Sequence, residues 1–306
     1  MRQRLSGITS IVGAVILLST SLASASDAAP DTTADFLAGH WQRPLKSQGE
    51  APEGFSVLEA SLEPTDCGSC HPRQFDDWRQ SLHAHAMGPG LLGQLIEMAA
   101  DDRLSHQACL RCHAPLADDD LVAVLQTDHQ AIEAREQTGS RQGILYRQGL
   151  VCAACHLRER VVYGPPRRDT TLDLNELPHG GFQERDAFAD SRFCAACHQF
   201  DADGFTLNGK LLENTFEEWR VSPQAEAGMS CHSCHMPDRR HLWRGIHDRD
   251  MVLSGVTIEL SPMDADSRRV GGTLRLTNSG TGHRFPTYVT PRVVLEAVQL
   301  DSNREP

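Results

Sequence analysis

Cys67-Gly-Ser-Cys70-His71, Cys109-Leu-Arg-Cys112-His113, Cys152-Ala-Ala-Cys155-His156, Cys194-Ala-Ala-Cys197-His198 and Cys231-His-Ser-Cys234-His235 use all 10 cysteines of the 306-residue chain. Two thiols separated by two residues and followed at once by a histidine put three reactive groups on one short turn. The thiols can add across the two vinyl groups on one edge of a porphyrin while the histidine swings its imidazole under the iron. Each motif therefore reads as a c-type haem attachment site. Cys67, Cys70, Cys109, Cys112, Cys152, Cys155, Cys194, Cys197, Cys231 and Cys234 are expected to hold five haems c. His71, His113, His156, His198 and His235 are expected to be the proximal iron ligands. A disulfide framework has no reason to place a histidine after every pair, and structural zinc would use paired knuckles, which an odd number of motifs does not supply.

The motifs recur at a near-regular interval, but the sequences flanking them share little, so the interval is one of packing rather than of a true repeat. Residues 67–248 give about 36 residues per motif, below the roughly 40 that a self-sufficient core requires. The macrocycles are therefore expected to be the core of residues 64–250, crowded to near contact. The expected fold is mainly α, a multihaem cytochrome c fold with a haem-dominated core and a short C-terminal β-rich segment.

Outside that domain the texture changes. Arg2 and Arg4 precede an apolar run over residues 8–18 and a small-residue Ala23-Ser24-Ala25 site, the pattern of a Sec-type signal peptide over residues 1–25. The run is short for a bilayer span, which needs roughly 20 residues. An exported, periplasmic protein with no transmembrane span in its mature form is expected, with an outer-surface or secreted location as the other choices. Residues 26–63 are polar and read as a linker or tether. Lys+Arg 29 against Asp+Glu 41 give a net charge of −12, which repels phosphate backbones and argues against nucleic acid. The same charge would steer basic partners, in a salt-dependent way. Basic cytochromes, reductases or quinol-oxidising complexes of the periplasm are the expected redox partners.

Five proximal ligands leave ten of the 15 histidines for the sixth positions. That surplus favours bis-histidine, low-spin iron; Met87 and Met229 are the possible methionine donors. Phe75, Trp78, Leu82 and Ala86 fall at helical spacing and place His83 on a helix after the first motif, with His85 facing elsewhere. His179 sits in the flexible Pro178-His179-Gly180-Gly181. His241 and His247 flank Trp243 and Gly245 just after the fifth motif. His40, His106 and His232 look ordinary, and His129 reads as a surface position on a helix over 119–136. Further helices are expected near residues 91–100 and from Thr215, where Thr215 and Glu218 have the spacing of a capping box. A loop that wraps a haem is expected over 163–190.

The runs Trp78-Arg-Gln-Ser81-Leu-His83-Ala84, Cys112-His-Ala-Pro115-Leu-Ala117, Glu213-Asn-Thr-Phe-Glu-Glu-Trp219 and Cys234-His-Met-Pro237, with Trp243-Arg-Gly-Ile-His247-Asp248, carry a resemblance over about residues 64–250. They resemble the multihaem c-type cytochromes related to hydroxylamine oxidoreductase and to the tetrahaem, cytochrome c-554-like protein of nitrifying bacteria. The resemblance implies a mostly helical fold with haems in parallel and perpendicular pairs, and a distal-ligand role for His83. It suggests the same for His179 and for one or both of His241 and His247.

From residue 251 to 306 three β-strands are expected, around Val256, Ile258 and Leu260, around Leu274 and Leu276, and around Val293, Leu295 and Val298. Gly282-His283-Arg-Phe-Pro286-Thr287 resembles an element in the β-rich tails of related cytochromes. His283 either reaches back to an iron or holds its turn.

The leading functional expectation is an electron carrier with no catalytic residue. One alternative is an oxidoreductase with one open-coordinated haem acting on a small nitrogen or sulfur compound; the other is a haem subunit of a larger conduit. No C-x-x-C-Lys motif is present, as the pentahaem nitrite reductases would have. Of Tyr146, Tyr163 and Tyr288, none lies in a context recognisable for the haem cross-link of a hydroxylamine-oxidising site.

Overall fold

The computed structural model describes residues 33–116 and 141–303, apart from 44, 46–47, 100, 169–170, 172, 174–176, 262–263, 266–269, 289, 297, 299 and 301–302. The expected signal peptide, residues 26–32 of the expected tether, and the expected helix over 119–136 with His129 lie outside the described residues.

Short helices joined by long connections suit a chain whose cysteine motifs interrupt every apolar face. In chain order they are α1 (Thr33–His40), α2 (Val57–Ala60), α3 (Pro64–Gly68), α4 (Pro72–Trp78), α5 (Pro89–Glu97), α6 (Arg103–His113), α7 (Cys152–His156), α8 (Arg192–His198), α9 (Thr215–Arg220), α10 (Pro223–Glu226), α11 (Cys231–His235) and α12 (Arg249–Gly255). Proline opens α3, α4, α5 and α10, where its missing N–H costs nothing. Asp102 and Asp248 cap α6 and α12 by accepting from Ser105 N (3.1 Å) and Met251 N (2.9 Å).

The capping box expected at Thr215 does not form. Asn214 is the N-cap of α9 and makes no side-chain cap bond. The Thr215 hydroxyl bonds Glu213 and Thr287 instead, and Glu218 accepts from Arg284 N and Thr287 Oγ1, both at 2.9 Å. Contacts to the tail displace the local cap.

Apolar side chains gather in three clusters. Met87, Leu95, Leu110, Ala114 and Tyr146 pack around α5 and α6. Trp78, Leu145, Leu150, Val151, Ala153 and Ala154 pack around α7. Phe36, Leu37, Ala187 and Phe193 form the third, with Trp41, Tyr163 and Phe188 against them. Part of the expected tether is therefore a core element, because Phe36 and Leu37 give α1 an apolar face that the polar residues around them obscure in the sequence. Leu95 and His106 are 0% exposed. The two nitrogens of His106 lie 2.7 Å from Asp102 O and 2.9 Å from Leu95 O, so its ring is held in the core between two carbonyls, to one of which a neutral imidazole donates. Leu95→Ala should lower the unfolding free energy by about 3 kcal/mol, the usual result of emptying a fully buried leucine site. Denaturant titration of the haem-loaded protein measures it.

α4 ends at Trp78, and residues 82–87 are turns, so His83 is not helical as its spacing suggested. The reversal is held by Trp78 Nε1 donating to Leu150 O (2.8 Å) and by Leu150 N donating to His83 O (2.9 Å). Gly149, at φ +66°, permits this approach: a Cβ there would lie 2.5 Å from His83 O.

The strands are short. β1 (Leu157–Arg158) pairs antiparallel with β2 (Val161–Gly164), and β3 (Gln183–Glu184) pairs parallel to β2. The expected loop over 163–190 is thus pinned near both ends. β4 (Thr206–Leu207) and β5 (Lys210–Leu211) form a small hairpin. In the tail, β6 (Val256–Leu260) pairs antiparallel with β9 (Leu274–Asn278), and β7 (Asp264–Ala265) with β8 (Val270–Gly271). The first two expected strands form, but among the described residues the third does not. Val293, Leu295 and Val298 are exposed on irregular backbone, their mixed phase giving no single apolar face. Among the described residues no helix is long and apolar enough to cross a membrane.

Candidate haem sites

The five motifs share a local design. α7 and α11 are the motifs Cys152–His156 and Cys231–His235 themselves, and α6 and α8 end on His113 and His198. In the first motif Cys67 lies in α3 and His71 is the N-cap of α4. A single helical turn brings the two thiols to one side and frees the histidine at its end. No disulfide joins any of the ten cysteines. The thiols of Cys67 and Cys152, of Cys112 and Cys197, and of Cys194 and Cys231 lie within interaction distance of each other. The first motif therefore lies beside the third, the second beside the fourth, and the fourth beside the fifth. Packing of α3 on α7 and of α6 on α8 agrees.

The motif histidines are oriented for metal. Nδ1–H of His113 donates to Ala86 O (2.7 Å), that of His156 to Tyr163 O (2.8 Å) and that of His235 to Arg244 O (2.5 Å). A carbonyl only accepts, so Nδ1 carries the proton and Nε2 keeps its lone pair, the tautomer of an iron-binding imidazole. His198 differs: its Nδ1 lies 3.9 Å from the Glu213 carboxylate. Burial acts to lower its pKa, but Glu213 and the Cys112 and Cys231 thiols raise it overall.

Three other histidines stand opposite motif histidines. His83 and His198, His156 and His241, and His235 and His283 each have ring centroids 6.2 Å apart, at interplanar angles of 52°, 30° and 14°. A metal about 2 Å from one nitrogen of each ring holds the centroids roughly 6 Å apart, so these spacings fit an iron shared by two imidazoles. His179 lies near His71, whose pKa is lowered by burial and by the charge of His179. Its Nδ1 donates to Gly181 O (2.7 Å), and it sits at φ +50° in a run of left-handed residues with Gly180 and Gly181.

Nδ1 of His241 donates to Arg239 O (3.1 Å) and Nδ1 of His283 to Arg284 O (2.9 Å), again leaving Nε2 free. Nδ1 of His83 is buried without a partner. Burial and the neighbouring His198, His235 and His241 push the His83 pKa down to about 3. Burial and His156 push that of His241 down to about 4. Both rings are therefore neutral, as a metal ligand must be.

His247 is not brought to a motif histidine; it is exposed on the far side of Gly245. Among the described residues, no ring contact pairs His113 with a second histidine. His40 Nε2 bonds Cys155 O (2.8 Å) amid Phe36, Trp41 and Phe193; His85 Nδ1 donates to Ser81 O (2.8 Å) and leaves Nε2 free, and among the described residues no ring contact pairs either with a motif histidine across an iron-sized gap. Among the described residues no group of three or more His, Cys, Asp or Glu is arranged to hold a bare metal ion.

Residues 66–156 match the family model of cytochrome c554 and c-prime. Over this stretch the chain is similar to c-type cytochromes. The match spans the first three motifs. No curated protein and no solved structure matches the chain.

Sequence reading gave no role to Asp77 or Glu213, and none to Trp243 beyond flanking His241 and His247. Glu213 opens one of the quoted family-like runs, and Trp243 opens part of another, so a signal existed. Asp77 had none, because its partners Arg240 and His241 lie 163 and 164 residues away.

Proposed function

We propose that the chain is a periplasmic pentahaem c-type cytochrome that carries electrons along five covalently held haems between redox partners. The three histidine pairs at 6.2 Å carry this reading, because a second imidazole on an iron removes the open position that catalysis needs. Each haem, when bound, supplies a one-electron iron couple. The residues do the rest. The ten cysteines would anchor the macrocycles. His71 with His179, His156 with His241, His198 with His83 and His235 with His283 would hold four irons, and His113 the fifth. The carbonyls of Ala86, Tyr163 and Arg244 fix three proximal rings, and the adjacent thiols of neighbouring motifs support close spacing of the groups they anchor. Net charge −12 supports basic partners whose association weakens with salt.

One observation favours a second reading. His113 lacks a facing ring among the described residues, which leaves room for one open-coordinated haem that acts on a small nitrogen or sulfur compound. An electron paramagnetic resonance spectrum of the oxidised protein tests both. The carrier reading predicts low-spin ferric signals that do not change with nitrite, hydroxylamine or cyanide. A high-spin ferric signal that shifts with any of them establishes the second reading instead.

A further inference from the structure

Residues 238–244 form a strap that reaches three of the motif sites. His241 stands opposite His156 of the third motif. The Trp243 ring is edge-on to His241 (5.2 Å, 86°) and to His83 (4.5 Å, 73°), which faces His198 of the fourth motif. Arg244 O accepts from Nδ1 of His235 in the fifth motif at 2.5 Å. Asp238, Arg239 and Trp243 all have positive φ (55°, 57° and 42°), a conformation that non-glycine residues keep only when their surroundings impose it.

What imposes it is visible. Asp77, on α4 next to the first motif, has a side chain only 5% exposed. It accepts a fork from Arg240 (Nε 2.6 Å, Nη2 2.5 Å) and a third bond from His241 N (3.0 Å). The other anchors are at the rim: Asp238 meets Arg168 (2.6 Å) and Arg73 (3.5 Å), and Arg239 donates to Pro166 O (2.8 Å). A two-pronged carboxylate–guanidinium pair on a buried carboxylate is the stiffest of these, because its two parallel bonds fix the geometry of both groups.

We propose that Asp77 is a positioning residue for three haem sites at once: through Arg240 it fixes the strap, and the strap sets the imidazole planes of His241, His83 and His235. This rests on the haem ligation proposed above. The g-values of a low-spin ferric haem depend on the angle between its two axial imidazole planes, so a rotated ring is visible even when the ligand stays bound.

The test uses the full haem-loaded chain, with covalent haem counted by the pyridine haemochrome assay before resonance spectra are taken. His83→Ala, His241→Ala and His283→Ala each remove one low-spin signal and so identify the three. Asp77→Asn should keep five haems and shift those three signals, leaving the rest in place. Trp243→Phe should shift only the signals that depend on His83 and His241. If Asp77→Asn does not accumulate with five haems, Arg240→Lys, which keeps the charge and breaks the fork, should give a smaller shift in the same three. Unchanged signals, or a shift confined to the His241-dependent one, overturn the proposal. A wild-type spectrum in which no signal depends on these histidines overturns the ligation, and the strap with it.

Discussion

A His83→Ala variant will keep five covalently bound haems and convert one of them from low spin to high spin. The ring of His83 faces that of His198 at 6.2 Å, and its buried Nδ1 has no protein partner. The cysteines and the proximal ligand of that site, Cys194, Cys197 and His198, are untouched by the change, so attachment survives while the sixth position opens. Replacement by another residue is hard to arrange, because the Trp243 ring packs 4.5 Å from that of His83 and His241 is already opposite His156. The expected result is a new high-spin ferric signal accounting for about one haem, the loss of one low-spin signal, and the gain of a cyanide-binding site. If every haem stays low-spin, His83 is not the ligand.

The second large effect concerns the third motif. A Cys152→Ser/Cys155→Ser variant should lose one haem, and with it much of the fold's stability. α7 is the best-buried motif helix, with Ala153 and Ala154 at 3% and 0% exposure, and Cys155 packs against two of the three apolar clusters. Removing a macrocycle there would leave a cavity beside Val151, Phe75 and Trp78 that small local shifts cannot fill, at a cost of at least several kcal/mol. The matching change in the fifth motif, Cys231→Ser/Cys234→Ser, should cost less, because no residue of α11 is fully buried. Thermal unfolding followed at a haem absorption band compares the two; equal losses would contradict the central place given to α7.

The motifs were legible because covalent chemistry demands a fixed local spacing. Cys152-Ala-Ala-Cys155-His156 says the same thing wherever it lies in the chain. The facing histidines were only half legible. Local context and family resemblance raised His83, His179, His241, His247 and His283, but His83 meets His198 and His283 meets His235 across long stretches of sequence that no local pattern encodes. His241 and His247 illustrate the limit. They share one short segment, and only the bond from His241 N to Asp77, 164 residues away, separates them. The fold showed the same division. Ser56 and Glu59 form a capping box because Glu59 keeps one carboxylate oxygen on Ser56 N (2.8 Å) while the other accepts from His179 N (2.7 Å), whereas Thr215 and Glu218 are drawn to Thr287 and Arg284. α1 escaped notice because two buried residues, Phe36 and Leu37, are too few to mark a periodic face, although they close a cluster with Phe193.

The central claim is that all ten cysteines are spent on haem. Intact mass spectrometry of the purified protein, under denaturing conditions that strip any group not covalently bound, tests it most directly. The account predicts a single species of polypeptide mass plus five haems, with no cysteine left to alkylate. A mass corresponding to four haems or fewer, with free or disulfide-bonded cysteines in the fourth or fifth motif, would contradict it.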